Sequence, residues 1–466
     1  MLFTGACMGV EEVISKLKEA VGSENVITDP EELYVYSFTA YAVVREEPLA
    51  IVKVKSTEDV VKVLKIANDY VIPVVPRGSG TSVIGASTPV KGSIVLDLRP
   101  MRKIRVDVAN GIVEAEAGAY VDEVDRECRK YGFMFPVDPA SAEAATIGGA
   151  LAMDAGGMRG ARYGTMRHIT LGIEVVLPGG QVITLGGPVY KQATGYDLMH
   201  LFIGSEGTLG VITRGWFKIV PAPKSVGRVV AYFDNVEDAA KGVYEIRRRG
   251  FTPLIIEFMD DIVVKLANKV KGLNFPEKNM VIVDIDAPKE VLNSLLSEVA
   301  EVLKASGATL VQFTTDPDEM AKLYTVRKQA YPTFAAAFPF SFMGDLSVPL
   351  SALPAVVKKV REVSAKYGIT IGLIGHAGDG NLHPLVGLES RDEWWSKARP
   401  ALVEIEGYSI ELGGTISGEH GVGIERKDLL IKELRARRSE VILEYMKQIK
   451  KIFDPKGIMN PGKLVD

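Results

Sequence analysis

Glycine restricts this chain more than any other residue, because it recurs in short clusters around apolar, strand-like runs. The first cluster, Pro73-Val-Val-Pro76-Arg77-Gly78-Ser79-Gly80-Thr81-Ser82, presents successive unobstructed backbone N–H groups that suit a pyrophosphate. A single loop of this kind most often only turns the chain, and this one matches neither GxGxxG nor GxxxxGK[ST]. Its context changes the reading. Pro139-Ala-Ser141, Thr146-Ile-Gly148-Gly149, Ala155-Gly156-Gly157, Tyr163-Gly164 and Gly204-Ser205-Glu206-Gly207-Thr208 add more close-approach points than chance turns would supply.

The surrounding pattern alternates helix and strand. Leu49 to Val54 reads as a strand, and a Ser56-x-x-Asp59 cap opens a helix that leads to the strand before the first glycine loop. SIVLDL, IVEAEAG, LGIEVVL and QVITLGG continue in β, the last two joined by Pro178-Gly179-Gly180. Val10, Val13, Ile14, Leu17 and Val21 fall on one face of an opening helix. After Pro221-Ala222-Pro223 the chain reads as a second sheet covered by helices near 236–249 and 288–305. The expected division is 1–221, 222–420 and a C-terminal helical segment 421–466. At 466 residues, two lobes are the simplest arrangement.

Several function classes drop out. A net charge of −4 offers no general positive field for nucleic acid. The Arg247-Arg248-Arg249 run ends a predicted helix, where cations suit the dipole. Cys7 and Cys128 form no disulfide framework and no CxxC motif, so a reducing, cytoplasmic setting is expected. The first residues lack a basic, apolar leader, and no apolar run reaches about 18 residues. Peripheral docking at the cytoplasmic face of a membrane and a homodimer both stay open.

The second half carries a different chemistry. Three of the five histidines, His376, His383 and His420, lie in glycine-rich polar loops. In His376-Ala-Gly-Asp-Gly-Asn-Leu-His383 an apolar strand is expected to turn through the glycines and re-enter a strand, aiming both imidazoles into one cavity. Ser417-Gly418-Glu419-His420-Gly421 adds a carboxylate and a further imidazole. Two imidazoles and a carboxylate suit zinc, manganese or iron, with open positions for substrate or water. Any one of these histidines alone would more often cap a loop; three beside Glu419 shift the balance.

These motifs resemble known families. PVVPRGSGTS, FPVDPASAEAATIGG, AGGMRGARYG and GYDLMHLFIGSEGTLGVIT are similar to the FAD-binding lobe of the vanillyl-alcohol oxidase type flavoproteins. HAGDGNLHP, SGEHGVG and FDPKGIMNPGK resemble the C-terminal domain of FAD-linked D-lactate dehydrogenases, glycolate oxidase D-subunits and D-2-hydroxyglutarate dehydrogenases. The resemblance implies an α+β fold: a PCMH-type FAD domain, a ferredoxin-like cap and a tail returning to the FAD lobe. FAD is expected to be non-covalent, because Thr81 stands where covalently flavinylated relatives often carry histidine. Carried over residue by residue, Pro76, Arg77, Gly78, Ser79, Gly80, Thr81 and Ser82 would hold the pyrophosphate. Pro139, Ser141, Thr146, Gly148, Gly149, Gly156, Gly157, Tyr163 and Gly164 would approach the cofactor. Glu206, Gly207, Val211 and Ile212 would close the pocket, and Asn460 would return near the flavin. Ala150 and Asp154 depart from the asparagines common there.

For the chemistry, the resemblance makes His376, His383 and Glu419 metal ligands, His420 the general base and Arg327 the partner of the substrate carboxylate. The implied reaction oxidises a D-2-hydroxy acid, with hydride passing to flavin N5 and electrons to an external quinone, cytochrome, electron-transfer flavoprotein or iron–sulfur subunit. Phe342-Met343-Gly344 stands where the hydroxyglutarate enzymes carry a lysine, which favours lactate or another short monocarboxylate. The rivals are flavin-assisted group transfer of the ether-lipid synthase type and a non-catalytic flavin subunit of a respiratory complex.

Overall fold

The computed structural model describes residues 4–41 and 43–465, with side chains from residue 9 onward. The leader-free reading of the first residues and the Cys7 side chain lie outside that description. The first lobe holds two sheets. A four-stranded sheet takes the order Val26–Ile27, Ala50–Lys53, Ile94–Asp97, Val74–Arg77, with the last three parallel. Ser56 Oγ accepts the Asp59 N–H and opens the helix Thr57–Tyr70. The two strands flanking that helix are parallel but not adjacent, because Ile94–Asp97 inserts between them. The second sheet is antiparallel, in the order Ile104–Asp107, Ile112–Glu116, Val211–Lys218, Thr170–Val176, Val182–Gly186.

The first helix, Thr4–Val21, buries Val13 and Leu17 against the parallel sheet, whereas Val10 is exposed. The stripe is therefore narrower than the sequence suggested, since the packed surface ends before Val10.

The second lobe is one antiparallel sheet of eight strands. Its first four strands in sequence, Val226–Phe233, Ile255–Met259, Asn279–Asp286 and Leu310–Thr314, lie in the order 4-1-3-2, which is ferredoxin-like. Thr370–Gly375 joins the edge formed by Ile255–Met259, and Asn381–Leu388 and Phe340–Met343 follow. Helices Val236–Arg248, Lys289–Ala305 and Leu353–Tyr367 bury one face, while Asp261–Lys271, Pro317–Lys328 and Ala330–Ala337 cover the other. Strands covered on both faces need apolar residues at consecutive positions, which explains runs such as NMVIVDI.

The chain end returns to the first lobe. Met459 bridges Val74 in parallel, the Val74 N–H donates to Ile458 O at 2.7 Å, and the Asn460 N–H donates to Val74 O at 2.8 Å. Ile458 and Met459 are buried in the core of the parallel sheet, and Phe453 stacks edge-on against Phe202.

Candidate active site

The glycine loops divide into two groups. Some are close-packing points between chain segments: a side chain at Gly148 would collide with Ala117, and one at Gly157 with the Asp138 backbone. Others border polar groups. A side chain at Gly78 would strike Thr146 Oγ1, which caps the helix Ile147–Met153 by accepting the Gly149 N–H at 3.3 Å. Gly78 and Thr146, both predicted cofactor contacts, therefore meet. Ser79 Oγ and Asn460 Oδ1 are buried without a hydrogen-bond partner. Such atoms are costly unless a ligand satisfies them, and polar groups of a dinucleotide fit that need. The amide of Asn460 is anchored on its other side, donating to Ala86 O at 2.8 Å and Glu206 O at 2.6 Å.

Four predicted contacts use their side chains elsewhere. The Arg77 guanidinium donates to Tyr36 O at 2.8 Å and Phe38 O at 2.9 Å, and it lies against Gly80, where a side chain would come within 2.5 Å of its Nη2. Val211 and Ile212 sit in apolar cores. Glu206 has φ +56°, and its carboxylate accepts the Val422 N–H at 2.7 Å and the Gly423 N–H at 2.8 Å, tying the first lobe to the segment after His420. Burial pushes its pKa up to about 7, against those two donors. Asp154, one of the two departures, adopts a left-handed conformation (φ +52°) and accepts the Arg167 N–H at 2.9 Å.

The histidine motifs converge as expected. The strand Thr370–Gly375 delivers His376, and the tight turn Ala377–Asp379 leads into Asn381–Leu388, which carries His383. Their rings stand edge to face, 5.3 Å apart, both buried. Glu419 Oε1 lies 3.3 Å from His376 Nε2 and 3.3 Å from His383 Nε2, so one carboxylate oxygen and two imidazole nitrogens share one small space. That donor set fits a borderline divalent metal. The two imidazoles outweigh burial and hold the Glu419 carboxyl well below its ordinary range. His420 stacks on His383 at 4.8 Å and 17°, with Nε2 3.9 Å from Glu419 Oε1. Burial, aided by the nearby His383, pushes its pKa down to about 4, which leaves the imidazole neutral.

The first lobe closes on this cluster. A side chain at Gly156 would come within 2.8 Å of Glu419 Oε2, and one at Gly160 would collide with Asp379. Arg327, on Pro317–Lys328, is buried rather than on the surface.

Two carboxylates escaped the sequence reading. Glu257, on Ile255–Met259, is fully buried; its Oε1 lies 2.7 Å from His376 Nδ1 and its Oε2 accepts Arg327 Nε–H at 2.6 Å. Asp345 is fully buried, and its Oδ2 accepts the Ser417 hydroxyl at 2.6 Å and the N–H groups of Gly418, Glu419 and His420 at 2.8, 3.0 and 2.9 Å. Its Oδ1 accepts Asn381 Nδ2–H at 2.6 Å and lies 3.4 Å from His383 Nδ1, a contact without hydrogen-bond alignment. Glu257 hides in an apolar run and Asp345 lies some 70 residues from the loop it holds. Only the Gly344-Asp345-Leu-Ser-Val-Pro motif offered a signal.

Residues 222–464 match the family model of the C-terminal domain of FAD-linked oxidases, and residues 48–186 match that of an FAD-binding domain. The chain belongs to the FAD-linked oxidase family. Within this family it is 34% identical to the glycolate oxidase subunit GlcD of Bacillus subtilis, over 98% of this chain and 97% of that one. It is 35% identical to a D-lactate dehydrogenase of Archaeoglobus fulgidus, over 90% of this chain and 92% of that one. A solved 4-ethylphenol oxidase from Gulosibacter chungangensis shares the fold with a TM-score of 0.80 at 19% identity, covering 98% of this chain and 97% of that one. This FAD-linked oxidase is therefore an FAD-dependent oxidoreductase with the α+β architecture expected from the motifs. Among the described residues no helix is long and apolar enough to cross a membrane.

Proposed function

We propose that this FAD-linked oxidase oxidises a D-2-hydroxy acid, D-lactate foremost, to the 2-oxo acid, with FAD held non-covalently. The observation that carries the reading is the convergence of His376, His383 and Glu419 beside His420, with Arg327 linked to the same cluster through Glu257. The names of the two relatives point to the same substrate class. The division near residue 221, with 222–420 as cap and 421–466 as returning segment, belongs to this reading.

When bound, FAD supplies the hydride acceptor, and a divalent metal on His376, His383 and Glu419 supplies a Lewis acid for the substrate hydroxyl. Arg327 orients the acid: Glu257 occupies Nε, which leaves the two terminal nitrogens for the substrate carboxylate. His420 Nε2, directed towards Glu419, takes up the hydroxyl proton, and a neutral imidazole is the form able to do so. Asp345 holds the backbone of Glu419 and His420, keeping ligand and base in one relation. The two lobes approach each other over the site at Gly156 and Gly160. Electrons leave to an external acceptor: a quinone, a cytochrome, an electron-transfer flavoprotein or an iron–sulfur partner. The setting is cytoplasmic or the cytoplasmic face of a membrane.

The test is anaerobic mixing with a panel of D- and L-2-hydroxy acids, following loss of the oxidised flavin absorbance. D-lactate or a close analogue bleaches the flavin, whereas flavin that stays oxidised with every acid refutes the reading and favours group transfer of the ether-lipid synthase type. His420→Ala keeps FAD but loses substrate-driven bleaching; normal reduction in that variant removes His420 as base.

A further inference from the structure

Among the described residues, Glu257 is the side chain that touches both halves of the proposed chemistry. It lies on the strand Ile255–Met259, where Phe258 pairs with Gly375 and Met259 with Ile374 across the sheet. Continuing that register sets Glu257 opposite His376, the first residue after the partner strand. The helix Pro317–Lys328 brings Arg327 to the other oxygen. One carboxylate, with no exposed surface, thus spans 2.7 Å to His376 Nδ1 and 2.6 Å to Arg327 Nε.

The chemistry of each contact fixes a different property. A carboxylate can only accept, so the neutral, metal-binding form of His376 carries its proton on Nδ1 and presents the Nε2 lone pair to the space shared with Glu419. The same charge neutralises a buried guanidinium and holds it by Nε, which sets where its two terminal nitrogens point. Asp345 gives His383 no equivalent, since its contact there is long and unaligned and its other oxygen is committed to the 417–420 loop.

We propose that Glu257 is a positioning residue that sets the metal-binding tautomer of His376 and the aim of Arg327 together, coupling metal affinity to substrate recognition. The inference rests on the reading of His376 as a ligand and Arg327 as the carboxylate partner. Glu257→Gln separates its roles, because an amide cannot accept at both ends. If its oxygen faces His376, its NH₂ opposes the Arg327 Nε–H. If its NH₂ faces His376, the imidazole proton is forced to Nε2 and ligation is blocked.

The experiment compares the FAD-loaded wild type with Glu257→Gln and Asp284→Asn. Asp284 makes a comparable buried pair with Arg228, at 2.6 Å to both Nε and Nη2, on the neighbouring strand Asn279–Asp286. After metal stripping, Mn²⁺ affinity is measured by electron paramagnetic resonance, and KM for the hydroxy acid is measured on the reloaded proteins. Glu257→Gln is expected to weaken Mn²⁺ binding roughly 10- to 100-fold and to raise KM, with FAD content unchanged. Asp284→Asn is expected to lower stability while leaving Mn²⁺ affinity in place. Mn²⁺ affinity within about threefold of wild type together with an unchanged KM in Glu257→Gln, or an equal loss in both variants, overturns the inference. If the glutamine variant does not fold, Glu257→Asp carries the test, since the shorter side chain cannot span both contacts; wild-type Mn²⁺ affinity and wild-type KM together there overturn it equally. A wild type that binds Mn²⁺ yet is reduced by no hydroxy acid refutes the functional reading instead, and leaves the metal measurement to decide the tautomer role.

Discussion

Asp345→Asn is expected to destabilise the enzyme by about 5–7 kcal/mol. In one amide orientation the carbonyl oxygen keeps Ser417, Gly418, Glu419 and His420, while the NH₂ opposes Asn381 Nδ2. Four charge-assisted bonds then become neutral ones, losing roughly 1 kcal/mol each, and one buried donor is left unpaired at roughly 1–3 kcal/mol. The opposite orientation sets an NH₂ against three backbone donors and costs more. Because whole domains are stable by only about 5–15 kcal/mol, the change is large, and it falls first on the segment carrying Glu419 and His420. Chemical denaturation followed by circular dichroism measures the total, and limited proteolysis shows whether the 417–420 segment opens first. A loss below about 1 kcal/mol, with that segment still protected, refutes the argument that Asp345 organises the loop.

Three further outcomes follow from the same geometry. Gly156→Ala sets a methyl group 2.8 Å from Glu419 Oε2 and is expected to lower metal affinity about tenfold with FAD retained; unchanged Mn²⁺ binding would show that Glu419 moves aside freely. Asp260 caps the helix Asp261–Lys271 through the Val263 N–H, and burial pushes its pKa up to about 7 despite Arg361. With the folded pKa raised above the unfolded value, its contribution is complete below about pH 4 and lost as pH rises through about 7, by at most ~1.4 kcal/mol per unit. Asp260→Asn keeps the cap and cannot ionise, so urea denaturation between pH 5 and 8 should show a shallower decline than wild type; parallel curves would contradict the assignment. Thorough chelation should remove activity without releasing FAD, and activity that survives verified metal removal rules out the metal role.

Much of this molecule was legible in one dimension because its signals are local. A glycine loop after an apolar run, a Ser56 cap and a histidine pair spaced by a tight turn all act within a few residues, so FAD binding, the α+β class and the His376, His383, Glu419, His420 set were readable from spacing and family resemblance. What only the tertiary structure decided concerns pairs distant in sequence. Glu257 meets His376 across a strand register and Arg327 across a helix, Asp345 gathers a loop about 70 residues away, and Asn460 reaches Glu206 from the far end of the chain. The same separation explains the expectations that shifted: Arg77 spends its guanidinium on Tyr36 and Phe38, and Val10 lies beyond the edge of the packed sheet. A buried charge must find its partner wherever the fold brings one, and a sequence prints neither the partner nor the distance.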